Sequence, residues 1–253
     1  MSSDSAVPAR DTLVIVPTYN ERENIAHLIE RVLQIYPEIH LLVVDDRSPD
    51  GTSAAVRALQ PRHANLMLLE RTGEPGFGNS YRDAFRLALS QPQLRAVITI
   101  DADFSHDPVE IRPMLEKLAA NDVVVGSRYV SGGGIGKWAF RRRLLSRGAN
   151  FYVRNALGLR TRDVTSGFQA LRREALEKLE AFRTVSNGYA FMVEMKYILS
   201  RAGCRIVEHP ILFDERREGE SKMSAGKVWE SIWLPWDIQR RVAAQLRAEK
   251  SGC

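Results

Sequence analysis

Two aspartates two residues apart, Asp101 and Asp103, stand at the end of the apolar run Ala96-Val97-Ile98-Thr99-Ile100. On an extended backbone residues i and i+2 point to the same side, so both carboxylates leave the strand end together. Two hard anionic donors held a few ångströms apart suit Mg2+ or Mn2+, above all where substrate phosphates complete the coordination shell. An acidic turn after a strand would look the same in isolation, so the chemistry depends on what accompanies the pair. A second pair, Asp45-Asp46, follows Leu41-Leu42-Val43-Val44, and Asp50-Gly51-Thr52 opens the stretch beyond it. Asp50 is a natural helix N-cap. Asp46, directed into a crevice, would accept hydrogen bonds from a ribose or a base, and Tyr19 and Glu21 beyond Leu13-Val14-Ile15-Val16 would complete that pocket.

The elements that must position these residues follow from the apolar pattern. Strand-like runs at 13–16, 41–44, 66–69, 97–100 and 123–125 alternate with helical patterns at 21–33, 52–59, 79–89 and 109–118. Uniformly apolar strands separated by helices predict an α/β fold, a mostly parallel Rossmann-like sheet covered by helices on both faces. Ligands of such sheets sit at the carboxyl ends of the strands, where the polar residues above gather. The second half is less regular. The glycine-rich stretch 131–136 reads as a mobile loop, a basic helix is expected from Arg141 to about Leu157, and strand-like 206–208 leads to 211–213. With no repeat and no clean linker, the expected division is a disordered lead over 1–11, one domain over 12–225, and a C-terminal amphipathic helix and tail over 226–253.

Composition narrows the partners. With 44% hydrophobic and 26% charged residues in 253, the chain can bury a sizeable core. No apolar stretch approaches the roughly 18 residues that a membrane span needs, and Met1-Ser2-Ser3-Asp4-Ser5 lacks the basic flank of a secretory signal. The two cysteines, Cys204 and Cys253, do not suggest a structural disulfide, which fits a reducing, cytoplasmic compartment. A net charge of +5 and a pI near 9.3 favour anionic partners. Lys137, Arg141, Arg142, Arg143 and Arg147 lie together with no acid among them, but no nucleic-acid-binding pattern is present, so nucleic acid is not expected as a partner. Near the C-terminus Trp229, Ile232, Trp233 and Trp236 form one stripe followed by Arg240 and Arg241, the pattern of an interfacial helix, with Pro235 expected to kink or interrupt it.

Taken together, Val16-Pro17-Thr18-Tyr19-Asn20-Glu21, Val43-Val44-Asp45-Asp46-Arg47-Ser48-Pro49-Asp50-Gly51-Thr52 and Asp101-Ala102-Asp103-Phe104-Ser105-His106-Asp107-Pro108 resemble family 2 glycosyltransferases of the GT-A fold. Gly126-Ser127-Arg128-Tyr129, Thr165-Ser166-Gly167-Phe168, Gly188-Tyr189-Ala190-Phe191 and Gly219-Glu220-Ser221-Lys222 extend the resemblance over roughly residues 12 to 230. Asp50-Gly51-Thr52 preceded by Ser-Pro, and Lys222 with Arg216 six residues earlier, narrow it to polyprenyl-phosphate (dolichyl-type) mannosyltransferases.

The resemblance implies that Pro17, Tyr19, Glu21, Val44 and Asp46 hold the nucleoside of GDP-mannose. It implies that Asp101 and Asp103 bind Mg2+ or Mn2+ with Ala102 beside the nucleotide. Arg128, Arg216 and Lys222 would meet donor phosphates or developing charge, and Arg141, Arg142 and Arg143 the lipid phosphate. A membrane surface, and a small membrane-anchoring partner, are the further partners it suggests, at the cytoplasmic face. Three residues depart from the family pattern: Arg47 where Gly is usual, Glu74 where Lys is usual, and Met192 where Gln is usual. Glu74 leaves another donor such as UDP-glucose open, and a non-catalytic nucleotide- or lipid-binding subunit is the reading from a different class. His106 is read as shaping the site rather than as a base.

Overall fold

A computed structural model of the chain describes residues 6–136, 140–213 and 226–251, with backbone alone at 140, 142, 226–232 and 248–251. Its centre is a seven-stranded sheet. The strands are β1 (Thr12–Thr18), β2 (His40–Asp45), β3 (Leu66–Glu70), β4 (Ala96–Thr99), β5 (Val123–Ser127), β7 (Gln169–Arg172) and β8 (Ile206–Pro210), in the order β3-β2-β1-β4-β7-β5-β8. All neighbours pair in parallel except β7, which runs antiparallel between β4 and β5, with Gln169 opposite both Thr99 and Val125.

The central residues of β1, β2, β4 and β5 are apolar because both faces are covered. Along β1, Leu13 and Ile15 join one core cluster and Val14 and Val16 the other, as the two-residue period of a strand requires. Helices α1 (Arg22–Ile35), α2 (Thr52–Leu59) and α4 (Ile111–Leu118) supply Ile25, Val56 and Met114 to the second cluster. Helices α3 (Phe77–Leu89), α6 (Arg173–Ala181) and α7 (Tyr189–Arg201) close the first, where the ring of Tyr81 stacks on Phe191 at 5.6 Å. The chain leaves β1 toward β2 and β3 on one side and returns to β4 on the other. The carboxyl ends of β1 and β4 thus flank a crossover point of the kind that accepts ligands.

The fold departs from the sequence expectation in four places. Residues 131–136 are not a mobile loop, because Gly134–Ile135 form strand β6, paired in parallel with β9 (Leu212–Phe213). Gly133 packs so closely there that a Cβ would lie 2.5 Å from the Ser127 carbonyl oxygen. Within the stretch read as a disordered lead, Val7 is buried and Ala9–Asp11 form a 3-10 turn. The antiparallel β7 and the helices α6 and α7 were not anticipated. Helix α8 (Gly226–Ser251) continues through Pro235, which therefore does not interrupt it, the second of the two effects (kink or interruption) expected of that proline.

Helix α8 packs on α7 and on the basic helix α5 (Phe140–Leu157) through buried Ile238 and Val242. Arg241, expected on its basic outer face, turns inward instead. Its Nη1 lies 2.6 Å from the fully buried carboxylate of Glu194 on α7, and its Nη2 donates to Ser186 Oγ at 3.1 Å.

Candidate active site

At the ends of β1 and β2 the adjacent acids Asp45 and Asp46 do different work. Asp45 is consumed by its own loop: Thr18 Oγ1, Ser48 N, Ser48 Oγ and Ser53 Oγ all donate to it. Asp46 points the other way. One of its oxygens accepts from Arg71 Nη1 and the other from Gly76 N at 2.7 Å. Arg71 also donates to Asp83 at 2.7 Å and to the Glu74 carbonyl at 3.0 Å, so a single buried guanidinium braces the 71–76 loop. The first turn of α3 beyond it needs glycine: a Cβ on Gly78 would lie 2.4 Å from the Ser186 carbonyl oxygen. Gly78 N donates to Asn187 Oδ1 at 3.1 Å.

The other nucleoside candidates gather at the same edge. Val44 is buried, Pro17 half-buried and Tyr19 exposed. Glu21 N donates to Thr52 Oγ1 at 3.0 Å, and Asp50 accepts from both Arg22 N and Thr52 N. Asp50 is thus not the N-cap expected from sequence, since the cap of α2 is Gly51 in left-handed backbone; one residue earlier, Asp50 ties the β1 and β2 loops together.

The three non-glycine residues with positive φ among the described residues all follow strand ends at this edge: Asn20 (φ 59°), Arg47 (φ 62°) and Phe104 (φ 59°). Left-handed backbone is costly for residues with a Cβ and concentrates at functional loops. It also explains why glycine suits position 47.

Beyond β4, Asp101 keeps a third of its side chain exposed while Asp103 and Ala102 are buried. Asp103 Oδ1 accepts from Ser105 N at 3.0 Å, a bond that turns the chain back under the pair. His106 lies 3.7 Å from Asp101 through Nδ1, its ring between Phe168 and Phe213 at 5.2 and 5.3 Å. Burial pushes its pKa down to about 4 against the opposing pull of Asp103. A neutral ring enclosed by aromatics shapes the floor of the site. Opposite Asp101 stands Gly167, where a Cβ would lie 3.3 Å from Asp101 Oδ1. Its carbonyl accepts from Thr99 Oγ1 at 2.5 Å.

Beyond β5, Arg128 forms a buried two-toothed pair with Asp163, with both bonds at 2.7 Å, and a further bond to Thr165 Oγ1 at 2.9 Å. Burial disfavours both charges, yet the paired bonds prevail: Asp163 is held below its ordinary value and Arg128 above its own. The guanidinium also lies 5.2 Å from the ring centres of Tyr129 and of Phe213.

The sequence profile of the family described as Glycosyl transferase family 2 matches residues 13–180, more than half of the chain. The chain belongs to glycosyl transferase family 2. A polyprenol monophosphomannose synthase of Mycolicibacterium smegmatis is 40% identical over 93% of this chain and 90% of its own length. An undecaprenyl-phosphate mannosyltransferase of Micrococcus luteus is 39% identical over 87% of this chain and 90% of its own. Among solved structures, a mannosyltransferase of Pyrobaculum calidifontis in complex with GDP-Man and Mn2+ aligns with a TM-score of 0.57 at 19% identity, covering 98% of this chain and 79% of that one. At that identity the likeness shows the fold alone, and the fold is GT-A.

For this family 2 glycosyltransferase the structure brings Asp46, Asp101, Ala102, Asp103 and Arg128 to one edge of the sheet, with Pro17, Tyr19, Glu21 and Val44. Arg216 and Lys222 lie outside the described residues, as does the side chain of Arg142. Arg141 is exposed, and Arg143 Nη2 donates to the carbonyls of Ile135 and Gly136 at 3.1 and 3.0 Å, where it fastens β6 to α5. Sequence reasoning missed Arg71, Asp163 and Lys196. The first two are partners of predicted site residues; Arg71 directly follows β3, a strand-end signal, whereas Asp163 lies in the turn between α5 and β7 and carried none. Lys196 is wholly buried in α7 and donates to the Ser166 carbonyl at 2.8 Å.

Among the described residues no helix is long and apolar enough to cross a membrane. The chain does expose Leu144, Leu145, Phe151 and Tyr152 on α5, and Trp233 and Trp236 on the neighbouring α8.

Proposed function

We propose that this glycosyltransferase moves mannose from GDP-mannose to the phosphate of a polyprenyl phosphate, by a single in-line displacement with inversion, using Mg2+ or Mn2+. The observation that carries the reading is the row of groups at one sheet edge: Asp46, then Asp101 with Asp103, then Arg128. Two relatives at about 40% identity named for polyprenol and undecaprenyl-phosphate mannosyl transfer support the substrate class. The neighbour solved with GDP-Man and Mn2+ is consistent with the donor and the cation.

The residues fit a divalent cation. Asp101 keeps a third of its side chain exposed, with Gly167 abutting it, and Asp103 is oriented by Ser105 N, so two hard oxygen donors stand just beyond β4. Among the described residues no group of three or more His, Cys, Asp or Glu side chains is arranged to hold a metal. Two protein ligands plus diphosphate oxygens is the coordination that Mg2+ and Mn2+ sites of this kind use. The cation, when bound, acts as a Lewis acid on the diphosphate leaving group. Arg128 adds a positive charge beside that group, held in place before reaction by Asp163, which is electrostatic preorganisation.

The acceptor needs no general base. A phosphate monoester has a second pKa of about 6 and is largely dianionic at neutral pH. It requires cations that draw it into line with the anomeric carbon, a role for exposed Arg141 and its neighbours on α5. The apolar side chains of α5 and α8 beside those cations support direct contact with the cytoplasmic face of a membrane, where Trp and Arg sit at the lipid headgroups. Contact through these two helices would leave a small anchoring partner dispensable.

The test is turnover by the purified chain with GDP-mannose, Mg2+ or Mn2+ and a short polyprenyl phosphate, with UDP-glucose in parallel. Product from GDP-mannose alone is expected. Preferred use of UDP-glucose would overturn the donor, and full activity in Asp103→Asn would overturn the metal assignment.

A further inference from the structure

We propose that Lys196 is a positioning residue for glycosyl transfer, acting through the Ser166 carbonyl to fix the 163–167 segment that orients both Arg128 and Asp101. The inference rests on the site reading above.

Lys196 lies in the middle of α7 with no exposed surface. Its Nζ donates to the Ser166 carbonyl at 2.8 Å and reaches the Met192 carbonyl at 3.5 Å. Among the described residues no carboxylate forms an ion pair with it. A buried ammonium held only by carbonyl dipoles is costly, and an apolar side chain of the same length would fill the space without that cost. Burial lowers the Lys196 pKa to about 7, with Asp163 pulling the other way. Its neighbours Met192, Val193, Met195 and Ile198 are all buried and apolar, so fold stability alone gives no reason for an ammonium here.

The carbonyl it holds belongs to a short segment with three attachments to the site. Asp163 makes the two-toothed pair with Arg128, and Thr165 Oγ1 accepts from the same guanidinium. Gly167 abuts the Asp101 carboxylate and is tied to β4 through Thr99. From behind, Ser166 O accepts from Gln169 Nε2 at 3.2 Å as well as from Lys196. Gln169 Nε2 also lies 3.2 Å from the sulfur of Met192, the position where the family pattern has Gln. Lys196 is thus the buried amine of the support under the segment that joins Arg128 to Asp101. It touches no substrate and acts through Ser166.

Lys196→Met and Lys196→Gln separate this role from core packing. Three quantities are measured on each full-length variant: melting temperature, kcat and KM for GDP-mannose, and GDP affinity by calorimetry with and without Mn2+. For Lys196→Met the expected result is a melting temperature at or above wild type, kcat down at least tenfold, and a loss of the Mn2+-dependent gain in GDP affinity, with metal-free GDP affinity retained. Lys196→Gln, which keeps a donor, should recover part of kcat; it also decides the matter if the Met variant does not fold. Wild-type kcat and wild-type Mn2+ dependence in whichever variant folds would overturn the proposal. So would a loss of kcat that only follows a lowered melting temperature. If wild type itself shows no Mn2+-dependent GDP binding, the site reading fails first, which distinguishes the two failures.

Discussion

Arg71 and Asp46 form an ion pair that is almost closed to solvent, with 4% and 10% of their side chains exposed. The same guanidinium reaches Asp83 and the Glu74 carbonyl. The 71–76 loop therefore keeps its shape although Glu74 reverses the charge usual at its position, because the backbone of Glu74 is what Arg71 grips. Glu74 itself faces solvent. Removing one partner of a buried pair leaves an uncompensated charge, so Arg71→Met should destabilise the fold by about 3–5 kcal/mol. Urea unfolding measures this, and a loss below 1 kcal/mol would show that the pair contributes little.

Arg47→Gly should stabilise the protein. Position 47 adopts φ 62°, which costs a residue with a Cβ about 1–2 kcal/mol, partly offset by the greater unfolded-state freedom of glycine. The expected gain is about 0.5–1 kcal/mol in urea midpoint terms. A loss would mean that the Arg47 side chain makes a compensating contact.

Stability should depend on pH through Lys196. Its folded pKa is about 7 against an ordinary 10.5, so between those values the unfolded chain binds a proton that the folded chain lacks. Stability contributed by this group therefore rises with pH across that window, by up to about 1.4 kcal/mol per unit, and is lost as pH falls toward 7. The charged groups that act on it are Asp163 and Glu208, which favour the protonated amine, and Arg128, which opposes it. Denaturant titrations of wild type and Lys196→Met from pH 7 to 9.5 should diverge with that sign; parallel curves would show that Lys196 keeps its ordinary pKa.

Trp233→Ala with Trp236→Ala should leave thermal stability nearly unchanged, since the side chains are exposed and such surface changes stay within about 0.5 kcal/mol. Co-sedimentation with vesicles containing anionic phospholipid should fall several-fold. Undiminished vesicle binding would assign contact to α5 alone or to a partner.

The parallel half of the fold was legible because β1, β2, β4 and β5 are buried on both faces and so carry unbroken apolar runs, with polar residues at their ends. β7 was not, since Gln169-Ala170-Leu171-Arg172 is only four residues long and carries a polar residue at each end. Helix α7 hid for the opposite reason. Its buried residues run without a break from Phe191 to Leu199, so it has no polar face to reveal a helical period. At the site, spacing put Asp101 and Asp103 together beyond β4 and Asp46 was expected in the crevice, but that Asp45 is taken up by Thr18, Ser48 and Ser53 depended on the folded loop. Asp163 lies 35 residues from Arg128 and Lys196 lies 30 from Ser166, distances over which local pattern carries no information.

The inward turn of Arg241 has a thermodynamic corollary. Arg241 holds Ser186, the next residue Asn187 holds Gly78, and Gly76 two residues earlier donates to Asp46. A helix with Trp233 and Trp236 exposed thus ends one chain of contacts whose other end is Asp46, in the proposed nucleoside pocket. By linkage, whatever factor adsorption of α8 applies to nucleotide affinity, nucleotide must apply to adsorption. Occupancy of the pocket and residence on the lipid surface are then two readings of one coupling energy, and vesicle partitioning measured with and without GDP gives its sign.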